Sequence, residues 1–286
     1  MARQIRSPVS PPGDGAAERR VRRRGPFHPF WDTLFKLLRF IAQRVNDIYA
    51  VVGIFIVIGT LVAISATWVF VKLAGEVREG ETLKFDVAVL RYIEAHKSPL
   101  LDAAMLEITF LGTGVVVMML VLVSGMFLWL TKHKHSALLL MVATAGGIVL
   151  NNVLKMGFDR PRPQVFAWGQ HAVSSSFPSG HAMSAATVYM TVAYLAARLQ
   201  RRRASRWATL FAALVVVVMI AASRLYLGVH YPTDVAAGVL LGVAWAGLCM
   251  AMLEATLLYG RRRSAAIRAA EAPTPGEAAA AEAATS

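Results

Sequence analysis

Three short groups of residues have the types and spacing that chemistry on an anion requires. Lys155, Arg160 and Arg162 put three cations into eight positions, and Pro161 and Pro163 force the backbone between them to stay extended. Cations at the edge of an apolar run are kept there at a cost and usually have a partner; the plain alternative is an ordinary charged span end. In the second group, Phe177, Pro178, Ser179, Gly180 and His181 directly precede an apolar run. Ser179 suits a helix N-cap and Gly180 leaves the backbone accessible, so unpaired amides and the positive end of a helix dipole face one point. That is an anion site, and His181 stands in the first turn, where an imidazole can give a proton to a departing oxygen. A capped helix start with an interfacial histidine is the plainer reading. The third group is Ser223, Arg224, His230, Pro232 and Asp234. Pro232 fits the first position of a helix, which puts Asp234 near the third, where the dipole favours it and its carboxylate can fold back onto one nitrogen of His230. The other nitrogen is then free as a nucleophile, although Asp234 also reads as a simple first-turn acid.

The elements that position these groups must lie in a membrane. The chain has 286 residues, 56% of them apolar and 16% charged, with a mean hydropathy of +0.52. This is too apolar for an ordinary soluble domain, and the charges cluster between uncharged runs long enough to cross a hydrocarbon layer of ~30 Å. Six such runs cover 48–71, 108–131, 136–154, 182–197, 207–223 and 235–253. None alternates like a strand, and all exceed the roughly 10 residues of a barrel strand. The expected fold is therefore all-α: a polytopic bundle of six transmembrane helices with added interfacial amphipathic helices. Cys249 is the only cysteine, which excludes an intrachain disulfide, a redox pair and a cysteine zinc site.

A net charge of +13 invites a nucleic-acid partner, but the excess sits beside apolar spans, where it orients helices. With six spans, 21 of the 30 Lys and Arg fall on one side, together with both termini. Both termini are thus expected in the cytoplasm, the protein in the inner membrane, and all three motifs on the outer face, with no nucleic-acid partner. Residues 1–27 read as a disordered basic segment, 28–47 as an amphipathic helix lying on the inner leaflet, 48–259 as the membrane domain, and 260–286 as a low-complexity cytoplasmic tail. No cleavable signal is visible. On the outer side, 82–96 reads as an amphipathic helix with Phe85, Val89, Tyr92 and Ile93 on one face, followed by a second helix from Pro99. Together the two form either a rim that guides a lipid or simple packing. His133 and His135 lie on the inner side as a solvated basic turn, and no metal is expected. Gly238 and Gly242 form a GxxxG that fits a dimer face or close packing within one bundle equally well.

Taken together the three groups resemble the type 2 phosphatidic acid phosphatase family of integral membrane lipid phosphatases. Lys155 with Arg162 and Pro163, Pro178 through His181, and Ser223 and Arg224 with His230 and Asp234 reproduce its three signature motifs in order. The resemblance implies transfer through a phosphohistidine without metal or other cofactor. His230 would attack phosphorus, Asp234 would orient it, and His181 would protonate the leaving oxygen. Lys155, Arg162 and Arg224, with Ser179 and the Gly180 amide, would bind the phosphate, and Arg160 would add a further contact. The substrate class implied is a membrane lipid phosphate or diphosphate, with undecaprenyl diphosphate first and phosphatidic acid and phosphatidylglycerol phosphate as its close competitors. A haloperoxidase-like enzyme and a noncatalytic lipid binder are the weaker alternatives; oligomeric state is not legible.

Overall fold

Every regular element in the computed structural model, which describes residues 48–165 and 174–271, is a helix. In chain order these are α1 (Ile48–Glu79), α2 (Leu83–Ala95), α3 (Pro99–Phe110), α4 (Gly114–Leu130), α5 (Lys134–Gly157), α6 (Gly180–Leu199), α7 (Arg203–Tyr226) and α8 (Pro232–Glu271). The segments expected at 1–27 and 28–47 lie outside the described residues. Four helices, α1, α5, α7 and α8, are long and apolar enough to cross a membrane, and α3 with α4 makes a fifth crossing if that bent pair is one span.

The continuous span expected over 108–131 is not formed. Helix α3 starts earlier, at Pro99, and the chain turns through Leu111, Gly112 and Thr113 before α4, with a bend of 45°. An uncharged run need not be one helix, and here packing breaks it. A side-chain carbon on Gly112 would lie 2.7 Å from Ile220 and 3.2 Å from His181, so only glycine lets this corner touch α6 and α7. Helix α8 runs past the expected end at 253 to Glu271, because the Ala-, Arg- and Glu-rich sequence that follows favours helix.

Helix α6 is the centre of the bundle, packed by α4, α5, α7 and α8, and its buried face is built from small residues such as Ala182, Ala185, Ala186 and Thr187. Its polar content is therefore affordable inside protein rather than lipid. The GxxxG of α8 serves this packing. A methyl on Gly238 would meet the Ser179 carbonyl at 2.5 Å, and one on Gly242 would meet Ala186 and the Met183 carbonyl at 2.6 Å. Both glycines face α6 of the same chain, which removes them as a dimer face.

Helix α2 turns a different face inward from the one its apolar residues suggest. Asp86 and Leu90 are fully buried, while Phe85 and Tyr92 are 60% and 67% exposed. A buried ion pair, described below, sets the rotation of this helix, and the aromatic side chains are left on the outside.

Candidate active site

The sequence groups converge where the end of α5, the irregular stretches 158–165 and 174–179, the start of α6, the end of α7 and the start of α8 meet. His230, in the short link between α7 and α8, is buried. Its Nδ1 lies 2.9 Å from the backbone carbonyl of Ser176. A carbonyl only accepts, so Nδ1 carries the proton and Nε2 keeps its lone pair. Burial holds the imidazole below its ordinary pKa; the Asp234 carboxylate opposes this, and Arg224 and Arg162 add to it.

Asp234 is close but does not bond directly to the ring as expected. Its Oδ2 stands 3.7 Å from Nδ1. The same oxygen accepts a short hydrogen bond from the Ser176 hydroxyl and one of 2.9 Å from the Tyr231 amide. Oδ1 accepts from Arg160 at 2.6 Å. The Ser176 carbonyl takes the place expected for the carboxylate, and Asp234 acts on the ring through its charge and through Ser176.

Three of the expected cations lie close enough to act on one another. Arg162 Nη1 lies 3.4 Å from His230 Nε2 and donates to the Val229 carbonyl at 3.0 Å. Arg224 donates from Nη1 to Thr109 of α3 at 2.8 Å, while its buried Nε has no partner. A side-chain carbon on Gly180 would meet Asn151 Oδ1 at 3.1 Å and Lys155 Nζ at 3.9 Å, so glycine lets the start of α6 approach Asn151 and Lys155 of α5 closely. Lys155, Arg162 and Arg224 repel one another, and His181 senses all three as well as His230. Among the described residues none of the three is in an ion pair.

Ser179 occupies the N-cap position with extended backbone, but its hydroxyl makes no cap bond and is a buried orphan. A polar hydrogen buried without a partner is costly, and here two such donors, Ser179 Oγ and Arg224 Nε, belong to a cluster of like charge. An anion satisfies both conditions at once.

Arg160 does not join this cluster. Its Nη1 is on Asp234 and on Thr233 Oγ1 at 2.8 Å, its Nη2 is 2.7 Å from Asp86, and its guanidinium stacks over Tyr231 at 4.3 Å. Two carboxylates hold it, so the expected extra phosphate contact is withdrawn. Sequence reasoning also missed Ser176, Thr109, Thr233 and Asp86. Ser176 is one of three consecutive serines, and no spacing rule selects it. Asp86 looks like any acid on an outer helix until its burial is seen.

A helical membrane bundle with a buried histidine whose Nε2 meets an arginine, and with further cations that lack ion-pair partners among the described residues, has the makings of an integral membrane phosphohydrolase. The PAP2 superfamily pattern matches residues 136–257, which include all three motifs. Phosphatidylglycerophosphatase B of Bacillus subtilis is 34% identical over 175 residues, 61% of this chain and 86% of that protein. An undecaprenyl-diphosphatase of Sulfolobus acidocaldarius is 26% identical over 66% of this chain and 86% of its own length. The crystal structure of a transmembrane PAP2 type phosphatidylglycerolphosphate phosphatase from Bacillus subtilis superposes with a TM-score of 0.61 at 28% identity, covering 71% of this chain and 96% of that one. The chain belongs to the PAP2 superfamily.

Proposed function

We propose that the chain hydrolyses membrane lipid phosphates through a phosphohistidine on His230. The observation that carries this reading is the pair of buried orphan donors, Ser179 Oγ and Arg224 Nε, together with cations that have no carboxylate partner among the described residues, one of which, Arg162, reaches Nε2 at 3.4 Å. The Nε2 lone pair forms a bond to phosphorus as the bond to the lipid oxygen breaks, and His181 gives that oxygen its proton. Lys155, Arg162, Arg224, Ser179 and the Gly180 amide hold the three equatorial oxygens. The positive charge that develops on the ring is met by the Ser176 carbonyl on Nδ1–H and by Asp234. Water then attacks phosphorus, with His181 now taking its proton, and the N–P bond breaks to release phosphate. Charge neutralisation comes from side chains, so turnover is expected to survive EDTA.

With Arg160 held by two carboxylates, three cations remain for phosphate, which suits a single phosphoryl group. Phosphatidylglycerol phosphate is therefore the leading substrate, in keeping with the relative at 34% identity. Undecaprenyl diphosphate is the second reading, favoured by the relatives of that activity. Residues 48–259 form the phosphatase domain in this proposal. Six spans, with α6 and the α3–α4 pair each counted as one, put both termini in the cytoplasm and the site on the outer face of the inner membrane. The charge asymmetry supports this orientation. The deciding experiment is turnover of phosphatidylglycerol phosphate, phosphatidic acid and a prenyl diphosphate by purified protein in one detergent, alongside His230→Ala. The expected outcome is EDTA-resistant hydrolysis, fastest on the monoesters, with no acid-labile phosphoenzyme in the variant. Near-normal turnover by His230→Ala would refute the mechanism, and hydrolysis confined to prenyl diphosphates would reverse the substrate order.

A further inference from the structure

We infer that Asp86, on the outer helix α2, is a positioning residue for the catalytic pair, acting through Arg160 and Thr233; this rests on the functional reading above. Asp86 is 0% exposed, although it lies on a short helix that is otherwise mostly open to its surroundings. Its two oxygens are fully used. Oδ1 accepts the Thr233 amide at 3.1 Å, and Oδ2 accepts the Thr233 hydroxyl at 2.7 Å and Arg160 Nη2 at 2.7 Å. Arg160 carries the contact on, with Nη1 2.6 Å from Asp234 Oδ1. Asp234 in turn holds Ser176, whose carbonyl fixes the proton on His230.

The chain of contacts divides the work between two carboxylates. Asp234 alone would face a guanidinium free to swing toward the incoming phosphate. Asp86 supplies the second anchor, so Arg160 is locked by a carboxylate on each amino nitrogen and by the Tyr231 ring. Thr233 is bonded to Asp86 through both its amide and its hydroxyl, which pins the first turn of α8 on which Asp234 rides. Leu90, one turn along α2, packs on Tyr231 and backs this junction through apolar contact. Helix α2 thus reaches the reaction through one buried oxygen pair, although none of its residues touches substrate.

The test compares Asp86→Asn with Leu90→Ala in purified protein, using a lipid phosphate monoester. Asn keeps the volume but, whichever way its amide turns, sets an NH2 against either Arg160 or the Thr233 amide, so kcat is expected to fall about 10- to 100-fold, the usual cost of losing a partner that orients a reacting group. KM and the vanadate inhibition constant should stay within about threefold, because the three phosphate-binding cations are untouched. Leu90→Ala should lower the melting temperature and leave kcat near the wild-type value. Wild-type kcat in Asp86→Asn overturns the inference. So does a parallel loss of kcat in both variants that tracks their melting temperatures, since that outcome makes α2 mere packing. If Asp86→Asn yields no folded protein, Thr233→Val carries the test, because it removes the hydroxyl's bonds to Asp86 and Arg160 and keeps every charge. A lowered kcat at unchanged KM supports the inference, and an unchanged kcat overturns it. A wild-type protein that hydrolyses no lipid phosphate is a failure of the functional reading, which shows before any variant is compared.

Discussion

Replacing Gly238 by alanine separates stability from catalysis in a way the geometry makes quantitative. The new methyl carbon would sit 2.5 Å from the Ser179 carbonyl oxygen, 3.2 Å from Ala182 Cβ and 3.2 Å from the Met183 amide nitrogen. Two of the three are backbone atoms at the start of α6, so no side-chain rotation relieves the clash. Ordinary contact begins near 3.4 Å, so α6 and α8 must part by roughly 0.9 Å at this point. Overpacking of this kind costs about 1–3 kcal/mol, and the better helix propensity of alanine returns about 1 kcal/mol. The net loss of stability is therefore small, roughly 0–2 kcal/mol. Catalysis is hit harder, because Asp234 lies one turn away on the same helix and its carbonyl accepts the Ser179 amide at 3.0 Å. A misplacement near 1 Å among reacting groups costs about 100-fold in rate. The expected outcome is a kcat about 100-fold down with a melting temperature within a few degrees of wild type. Gly242→Ala, whose clash is as severe but two turns from Asp234, should lose less kcat, and Gly125→Ala, which meets nothing within 4 Å, should lose none. The assay is initial-rate lipid phosphate hydrolysis with a parallel thermal melt in detergent. Wild-type kcat in Gly238→Ala, or an equal loss in Gly125→Ala, would refute the reasoning.

Three further outcomes follow from the same geometry. His181→Ala should slow release of a lipid alkoxide by about 100-fold or more yet slow nitrophenyl phosphate much less, since a good leaving group needs little proton donation; equal losses on both substrates would remove His181 as the acid. Because burial lowers the pKa of His230 against the pull of Asp234, and with the push of Arg162 and Arg224, the imidazole stays neutral below its ordinary 6.5. No acid limb of activity from His230 should appear above pH 6.5, and this histidine should cost stability as pH falls below 6.5, where the unfolded chain binds the extra proton and the folded chain does not; an acid limb centred at 7 or higher contradicts this. Finally, cysteines at Glu94 and Ser205, in a Cys249→Ser background, should react with an impermeant thiol reagent from the outside and the inside respectively; labelling of both from one side would break the six-span topology.

How far the sequence can be read depends on which physical rule fixes each part. The helices were legible from uncharged length, and the three motifs that the fold brings near one another, Lys155, Arg162, His181, Arg224 and His230 among them, from their order at the ends of successive apolar runs. The break at Gly112 was not legible. It is set by the approach of Ile220 and His181 from distant helices, and hydropathy is blind to such contacts. The face of α2 was misread for a related reason. Apolar periodicity assumes that apolar residues turn inward, whereas here Asp86 is drawn in by Arg160 and leaves Phe85 and Tyr92 outside. The assignment of Arg160 failed on the same pair, since sequence shows a cation beside two others and not the carboxylates that claim it. Ser176 could not be found by any spacing rule, because its role depends on its backbone carbonyl, a group every residue has.

The charges then divide into two groups with different tasks. Behind the histidine, Asp86, Arg160 and Asp234 carry one net negative charge, buried and fully hydrogen-bonded, and their geometry is complete without substrate. In front of it, Lys155, Arg162 and Arg224 carry three positive charges with no ion-pair partner among the described residues, and Ser179 Oγ and Arg224 Nε are unsatisfied. Only the second group gains by binding a phosphate dianion, which relieves repulsion and fills orphan donors together. The negative cluster behind the ring would by itself attract protons to the imidazole, and the cations in front oppose that attraction until phosphate arrives. In the proposed mechanism a bound phosphate offsets the cations' share of this opposition while that of burial persists, and the negative cluster then meets the positive charge that develops on the ring, where stabilisation raises the rate rather than the affinity.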